Sequence, residues 1–130
     1  MSPFTLRVVG SRSSLQVEGV TAFSAADASG RFALLPGHAS FLTALPPGIA
    51  RFDGAGVSTY LGHAGGILHL RGAHLALVTR RYVVERDYRL LAARLADILS
   101  AESRRREHRR ANLERLEATL MERLRREEAR

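Results

Sequence analysis

Glycine and proline are confined to the first part of this 130-residue chain, and this distribution most constrains its fold. All eleven glycines lie at or before Gly72 and all four prolines at or before Pro47, so the last 58 residues contain neither. Because these residues make turns and terminate helices, we expect many short elements in the first part and long helix in the second. A chain of this length can bury one core.

Apolar and polar residues alternate in the first part, which indicates β-strands. Phe4, Leu6 and Val8 share one face of a first strand, and residues 15–23 are predicted to form a second. Residues 49–52 and 57–61 flank Asp53-Gly54-Ala55-Gly56, which is a hairpin signal.

A second hairpin is predicted around Gly72-Ala73, between residues 67–71 and 74–79. A two-residue turn there places Leu68 and Leu70 opposite Leu77 and Leu75 on one face of the sheet. His69, Arg71, His74 and Ala76 then lie on the other face. Many short strands at this spacing predict an antiparallel β-sandwich or barrel.

The second part has helical periodicity. At 100° per residue, Leu90 points away from the main apolar face of the helix. That face consists of seven residues: Val84, Tyr88, Leu91, Ala92, Leu95, Ile98 and Leu99. Leu113, Leu116, Leu120 and Leu124 make a second stripe with Met121 at its edge, whereas residues 101–110 contain no large apolar side chain.

These patterns favour two helices, with a turn within residues 101–110 and Ser100 or Ser103 as N-cap, over one long helix. The predicted fold class is α+β. A β-sandwich domain of residues 1–84 precedes a helical domain of residues 85–130, which forms a helical hairpin or an extended helix.

The basic charge is concentrated in the second part. The chain has 20 arginines, no lysine and a formal net charge of +7, and residues 80–130 hold fifteen of the arginines. Ten acids are interleaved with them, and the pairs Glu85–Arg89, Glu102–Arg106 and Glu122–Arg126 have favourable helical spacing. No aromatic residue follows Tyr88 to stack on bases, so we expect no nucleic-acid partner. A basic sandwich module for nucleic acid or another acidic polymer is kept as the alternative.

Catalytic and metal sites are poorly supported. The chain has no cysteine, and no carboxylate lies between residues 54 and 84 to complete a metal site with His63, His69 and His74. We therefore expect surface or loop histidines, no metal, no cofactor and no enzyme. The glycine-rich stretch 62–66 lacks the Lys and Ser/Thr of a phosphate loop, and a turn between strands is the better interpretation. Neither a secretory signal nor a membrane-spanning segment is apparent.

Residues 30–48 read Gly-Arg-Phe-Ala-Leu-Leu-Pro-Gly-His-Ala-Ser-Phe-Leu-Thr-Ala-Leu-Pro-Pro-Gly. This stretch resembles the epsilon subunit of F-type rotary ATP synthases, whose pattern there is close to G-x-x-x-x-L-P-G-H-x-x-x-(L/F)-x-x-L-x-P-G. The stretch Gly65-Gly66-Ile67-Leu68-His69-Leu70 is similar to the family's Gly-Gly-aromatic-Leu-x-Val strand. The hairpin and the charged helical tail follow in the family's order, so the resemblance covers essentially the whole chain.

The resemblance implies a non-catalytic rotor component of the central stalk, in ATP synthesis coupled to hydrogen-ion or sodium transport. The implied partners are the gamma subunit, the membrane ring subunits and the catalytic beta subunit. The implied location is peripheral, on the cytoplasmic face of the bacterial inner membrane. Contact with gamma and the ring is expected from Leu35, Pro36, Gly37, His38 and Phe41.

The resemblance also implies that the helices meet the catalytic head and restrain ATP hydrolysis. The basic residues expected to make that contact are Arg104, Arg105, Arg106, Arg109 and Arg110. The leucine face expected to bury in either helix position is Leu91, Leu95, Ile98, Leu113, Leu116 and Leu120.

Two departures from the family pattern bear on function. Some bacterial relatives bind ATP through an aliphatic-Asp-x-x-Arg-Ala motif, but here Leu90 and Leu91 stand where Arg and Ala are required after Asp87, so the resemblance does not extend to the complete ATP motif. After the last hairpin the chain reads Thr79-Arg80-Arg81-Tyr82 instead of the common Ala-Asp type sequence. Together with the polar stretch 101–110, this departure indicates that the chain comes from a divergent branch of the family. We expect that branch to be the alternate N-type synthases.

Overall fold

A computed structural model describes residues 2–128, with the side chain of residue 128 excluded. It contains ten strands and one helix: β1 (Phe4–Val9), β2 (Ser14–Val20), β3 (Ala22–Asp27), β4 (Gly30–Leu34), β5 (Phe41–Leu45), β6 (Gly48–Gly54), β7 (Val57–His63), β8 (Gly66–Arg71), β9 (His74–Thr79), β10 (Tyr82–Glu85) and α1 (Tyr88–Glu128). The chain divides into two compact units, the first ending at Ile98 and the second beginning at Leu99.

The strands form two five-stranded sheets. The front sheet has the order β2-β1-β9-β8-β5 and the back sheet the order β10-β7-β6-β3-β4. The predicted antiparallel sandwich and the α+β class are confirmed, with one difference, since β1 pairs with β9 in parallel. All of β2 to β8 intervenes between these two strands, so no hairpin turn sets their relative direction.

The core lies between the sheets and follows from the period of two along each strand. Phe4, Leu6 and Val8 are buried, as predicted for one face of β1. In the predicted second hairpin, Leu68 pairs with Leu77 and Leu70 with Leu75, and all four side chains are buried. The back sheet contributes a second set of buried residues: Phe23, Ala25, Ala50, Phe52 and Leu61.

Both predicted hairpin turns are confirmed. In the first, Gly54 pairs with Val57, so the turn consists of Ala55 and Gly56, with φ of 51° and 74°. Positive φ at both positions is typical of a type I′ turn, which matches the twist of the flanking strands. In the second, Arg71 pairs with His74 across a turn that begins at Gly72, with φ of 61°.

The prediction of one strand over residues 15–23 is wrong. β2 ends at Val20 in the front sheet and β3 begins at Ala22 in the back sheet. Gly19 has a φ of 72°, and the Thr21 amide donates to the Asp53 carbonyl at 2.8 Å. The left-handed glycine and the new hydrogen-bond partner redirect the chain between sheets.

The preference for two helices is also wrong. One continuous helix of 41 residues runs from Tyr88 to Glu128, and Ser100 and Ser103 lie inside it. The true N-cap is Asp87, whose carboxylate oxygen Oδ1 accepts the Arg89 amide at 2.9 Å. Because the segment contains neither Gly nor Pro, nothing in the polar stretch 101–110 terminates the helix.

The first turns of α1 belong to the first compact unit. Leu91 and Leu95 are buried, whereas Leu90 is exposed, as the helical wheel predicted. A Cβ added to Gly62 of β7 would lie 3.3 Å from Leu95 Cδ1, so the missing side chain lets the helix approach the back sheet closely. Val84, predicted on the helix face, lies in β10. The domain boundary between residues 84 and 85 stays a prediction.

The expected helical ion pair between Glu122 and Arg126 forms, with Arg126 Nη2 2.9 Å from Glu122 Oε1. Glu85 lies in a strand and pairs with Arg94 instead of Arg89. Arg105 Nη1 lies 4.0 Å from Glu102 Oε1, one residue closer in sequence than the predicted partner Arg106.

Candidate functional site: an exposed turn and a basic helix

The Leu-Pro-Gly-His segment forms a tight turn between β4 and β5. The His38 amide donates to the Leu35 carbonyl at 3.1 Å, and Gly37 has a φ of 87°. Proline at the second position and a left-handed glycine at the third define a type II turn. Because both residues fix the backbone locally, the turn presents its side chains with little conformational freedom.

Aromatic rings brace this turn. The rings of Phe32 and Phe41 lie 5.1 Å apart between centroids, and His38 stands edge-on to Phe41 at 5.8 Å. Phe32 belongs to the back sheet and Phe41 to the front sheet, so their contact joins the two sheets at one edge of the sandwich. Leu35 is 58% exposed beside them.

We define Leu35, Pro36, Gly37, His38 and Phe41 as the turn cluster. The structure brings all five of these predicted contact residues together at one place. Phe32 belongs with them and was missed by the sequence analysis. Phe32 and Leu34 are two residues apart in β4 and therefore lie on the same face of the strand. The sequence shows this period of two poorly, because residues 32–35 are all apolar.

Asp27 joins the β3–β4 turn to β5, the strand that begins with Phe41. Its Oδ1 accepts the Ser29 amide at 2.8 Å, and its Oδ2 accepts the Thr43 hydroxyl at 2.8 Å. The hydrogen bonds from Ser29 and Thr43 lower the pKa of the Asp27 carboxyl below its usual value. This charged acceptor ties the β3–β4 turn to β5, although the sequence analysis assigned no function to it.

The five predicted arginines lie on α1 with exposed side chains: Arg104, Arg105, Arg106, Arg109 and Arg110. At 3.6 residues per turn, all but Arg104 fall within an arc of about 140° around the helix. Arg109 Nε also donates to the Arg105 carbonyl at 3.4 Å. We call these five residues the arginine cluster.

The leucine stripe on the same helix consists of Leu113, Leu116, Leu120 and Leu124. The first three are 59%, 57% and 51% exposed. The stripe lies on the same side of the helix as most of the arginine cluster, because its residues fall within about 80° of one another inside that arc. Ile98 is half-buried in the first unit. The predicted helix face is therefore covered at Leu91 and Leu95 and open at the later leucines.

Among the histidines of residues 2–128, His63 alone lies in the core. Its side chain is 2% exposed, and its Nδ1 accepts the Gly65 amide at 3.1 Å. Burial lowers the pKa of this imidazole from 6.5 to about 4, because the charged form loses its hydration. The expectation of a surface or loop position is wrong here, whereas His69 and His74 are exposed.

The histidines of the second hairpin do not face each other, since His69 pairs with Ala76 and His74 with Arg71. Within residues 2–128 no group of three histidine or acidic side chains is arranged to hold a metal ion. Asp87, the acid of the incomplete ATP motif, serves as the helix cap described above. No helix in this same range has the length and hydropathy that crossing a bilayer requires.

Residues 3–84 match the family model described as "ATP synthase, Delta/Epsilon chain, beta-sandwich domain". The chain belongs to the ATP synthase delta/epsilon family. It is similar to "ATP synthase epsilon chain 2" of Paraburkholderia xenovorans (strain LB400), with 34% identity over 107 residues, 80% of this chain and 76% of the relative. The predicted membership among epsilon subunits is thereby confirmed.

A second epsilon-chain relative is also named "ATP synthase epsilon chain 2", from Cereibacter sphaeroides. It is 39% identical over 71 residues, which is 54% of this chain and about half of the relative, 49%.

Two solved structures share the fold. One is the central stalk and c-ring part of the Tetrahymena thermophila mitochondrial ATP synthase, with a TM-score of 0.54 at 12% identity over 64% of this chain and 69% of the other. The other is the OSCP/F1/c-ring part of the Euglena gracilis enzyme, with a TM-score of 0.60 at 22% identity over 75% of this chain and 64% of the other.

Proposed function

We propose that this epsilon-family chain is a non-catalytic rotor subunit in the central stalk of a proton- or sodium-translocating F-type ATP synthase. In this role the sandwich links the gamma subunit to the membrane ring, and the later part of α1 restrains ATP hydrolysis at the catalytic head. The subunit is peripheral, on the cytoplasmic face of the bacterial inner membrane. The regulatory proposal rests on one observation: the leucine stripe and the arginine cluster, both in the part of α1 after Ile98, are exposed.

The turn cluster suits a contact that transmits force. Pro36 and Gly37 fix the turn, and Leu35 is exposed at its start. A preorganised apolar side chain loses little conformational entropy when it docks, so more of its burial energy is available for binding. The Phe32–Phe41 contact and the Asp27–Thr43 hydrogen bond join the two sheets beside it, so a load on the turn is shared by both.

The arginine cluster suits a carboxylate-rich surface, and we assign it to the catalytic beta subunit. Guanidinium groups pair with carboxylates through two parallel hydrogen bonds, which makes such contacts strong and directional. Because the five side chains are exposed, salt screens their attraction, and we expect the restraint on hydrolysis to weaken as ionic strength rises.

The leucine stripe supplies the energy difference between a free and a docked helix. Full burial of one leucine is worth about 1.5–3 kcal/mol. The three leucines at positions 113, 116 and 120 are about half exposed, so covering them yields on the order of 3 kcal/mol. A bias of this size shifts a two-state equilibrium by about a hundredfold, which is enough to switch activity.

Removal of residues 99–130 tests the inhibitory role. This boundary keeps Leu91 and Leu95 on the sandwich, whereas a cut after residue 84 removes both. We expect the truncated chain to assemble with the catalytic head and to raise its ATPase rate. The control replaces Arg105, Arg106 and Arg109 by Gln in the full chain, which is expected to raise the rate in part. Unchanged hydrolysis in complexes shown to contain the truncated chain would contradict the inhibitory role.

A further inference from the structure

The later part of α1 presents one exposed face on which the leucine stripe is flanked by a charged residue at each end. This face, which we call the tail face, consists of six residues in helical order: Arg109, Leu113, Leu116, Leu120, Leu124 and Glu127. From first to last they cover 18 residues in five steps, a mean of 3.6 residues per step, which equals the helical period. The tail face therefore runs straight along the helix, and all six side chains are exposed.

The order of the tail face is self-complementary when it is read from the other end. In an antiparallel pair related by a two-fold axis at the level of residue 118, Leu116 meets Leu120 of the second copy and Leu113 meets Leu124. Arg109 and Glu127 lie at equal distances from that level and five full turns apart, so they occupy the same side of the helix. Each Arg109 thus lies opposite a Glu127 of the second copy, and the two ion pairs flank the leucines at both ends.

The charge along the helix favours this direction over a parallel pair. Residues 104–110 hold five arginines and one glutamate, a net charge of +4, whereas residues 111–128 hold four arginines and five glutamates, a net charge of −1. A parallel pair sets the two +4 segments side by side, where they repel. An antiparallel pair instead places the arginine cluster of each copy beside the end of the other helix, where Glu127 and the negative end of the helix dipole lie.

The contact is short, and its length sets its strength. The tail face is about 27 Å long at 1.5 Å per residue. The four leucines of the stripe are between 51% and 59% exposed, so each still has apolar surface to bury. Glu117 and Arg123 border the stripe, where long side chains keep their charged ends in water. Such a pair buries less area than a standard protein–protein interface, so we expect an affinity in the micromolar range.

We propose that the tail face is a self-association surface and that its occupant is the tail face of a second, antiparallel copy of this chain. The sequence fixes the chemistry of the occupant, because the partner presents the same four leucines, Arg109 and Glu127. If the proposed rotor function holds, the leucine stripe and Arg109 also contact the catalytic head, and one chain cannot make both contacts at once. The dimer is therefore a form of the unassembled chain, in which the leucine stripe is covered.

Sedimentation equilibrium of the purified full-length chain tests the dimer, at concentrations from low micromolar to several hundred micromolar. We expect the average mass to rise with concentration from the monomer value of 14.3 kDa towards twice that value. A chain that stays at 14.3 kDa over the whole range overturns the dimer and leaves the rotor function untouched.

Charge reversal tests the antiparallel direction. Arg109→Glu alone, or Glu127→Arg alone, sets like charges opposite each other at both ends of the stripe and is expected to weaken self-association about tenfold. The two substitutions combined exchange the partners without changing the pairing, so we expect self-association to return to within about twofold of the wild type. In a parallel pair Arg109 lies beside Arg109 of the second copy, and the combined variant gains nothing over the single ones.

Arg115→Glu is the matched control, because it makes the same charge change at an exposed residue on the opposite side of the helix. Its self-association is expected to stay within about twofold of the wild type. Circular dichroism of each variant checks that the helix is intact. Helical single variants that associate like the wild type, or a combined variant as weak as the single ones, overturn the antiparallel pairing.

Discussion

Replacing Gly66 by Ala tests how the sandwich positions its strands. Gly66 begins β8 and pairs with Thr79 of β9 on one side and Leu45 of β5 on the other. A Cβ at this position would lie 1.9 Å from the Val78 carbonyl oxygen, whereas real Cβ atoms essentially never come within 3.0 Å of another atom. The two backbones must therefore separate by about 1 Å, although both belong to the same hydrogen-bonded ladder.

The cost has two parts. Forced separation in a well-packed region costs about 1–3 kcal/mol, and a weakened ladder hydrogen bond adds about 1 kcal/mol. We therefore expect Gly66→Ala to lower the free energy of unfolding by about 3 kcal/mol, measured by urea denaturation of the full chain. Loss of soluble protein is the more extreme form of the same result.

Gly48→Ala is the matched control for this substitution. Gly48 also begins a strand, β6, but the nearest atom to its added Cβ is the Pro46 carbonyl oxygen at 3.9 Å. The free energy of unfolding of the Gly48→Ala variant is expected to stay within about 1 kcal/mol of the wild-type value or to rise slightly, because alanine restricts the conformations of the unfolded chain. A Gly66→Ala variant as stable as Gly48→Ala would refute the reasoning.

Three further predictions concern stability. Because burial holds the pKa of His63 at about 4 while the unfolded imidazole keeps 6.5, the stabilisation is complete above pH 6.5 and is lost as the pH falls to 4. His63→Gln should remove about 2.5 kcal/mol of that pH dependence in urea titrations at pH 4.5 and 7, and a variant that keeps the wild-type pH dependence would contradict the burial of this imidazole. Asp87→Ala removes the helix cap and should cost about 1 kcal/mol, seen as a lower melting temperature. Leu91→Ala should cost about 2–5 kcal/mol and Leu113→Ala less than about 0.5 kcal/mol, and equal losses would contradict the different burial of these side chains.

Much of the sandwich was predictable, because its determinants are local. The alternation of buried and exposed residues in β1, β8 and β9 follows from the strand period of two. The turns at Gly56 and Gly72 follow from residues that accept positive φ. The Leu-Pro-Gly-His turn was recognisable for the same reason, since Pro36 and Gly37 define the turn type within four residues.

The features that sequence reasoning missed depend on distant parts of the chain. The parallel pairing of β1 with β9 joins strands separated by more than sixty residues, so no local pattern specifies it. His63 is buried in the back sheet, where it pairs with Gly48 of β6 and Tyr82 of β10. Asp27 accepts a hydrogen bond from Thr43, sixteen residues away. Each depends on tertiary contacts that periodicity does not encode.

The helix shows a different failure. Residues 101–110 lack a face that can pack on a core, and this lack of apolar residues favoured a turn in the sequence analysis. A helix ends, however, where a residue terminates it, and this segment consists of residues that tolerate or favour helix without Gly or Pro. The continuous helix follows from the absence of a terminator, and this is why its polar middle stays helical.

The central claim is that this epsilon-family chain works as part of the rotor. The most direct measurement is purification of the tagged full-length chain from its own cells in mild detergent, followed by quantitative mass spectrometry. The account predicts gamma, beta and ring subunits in the fixed ratios of one assembled complex. A chain that purifies alone, while the remaining subunits assemble without it, would contradict the account.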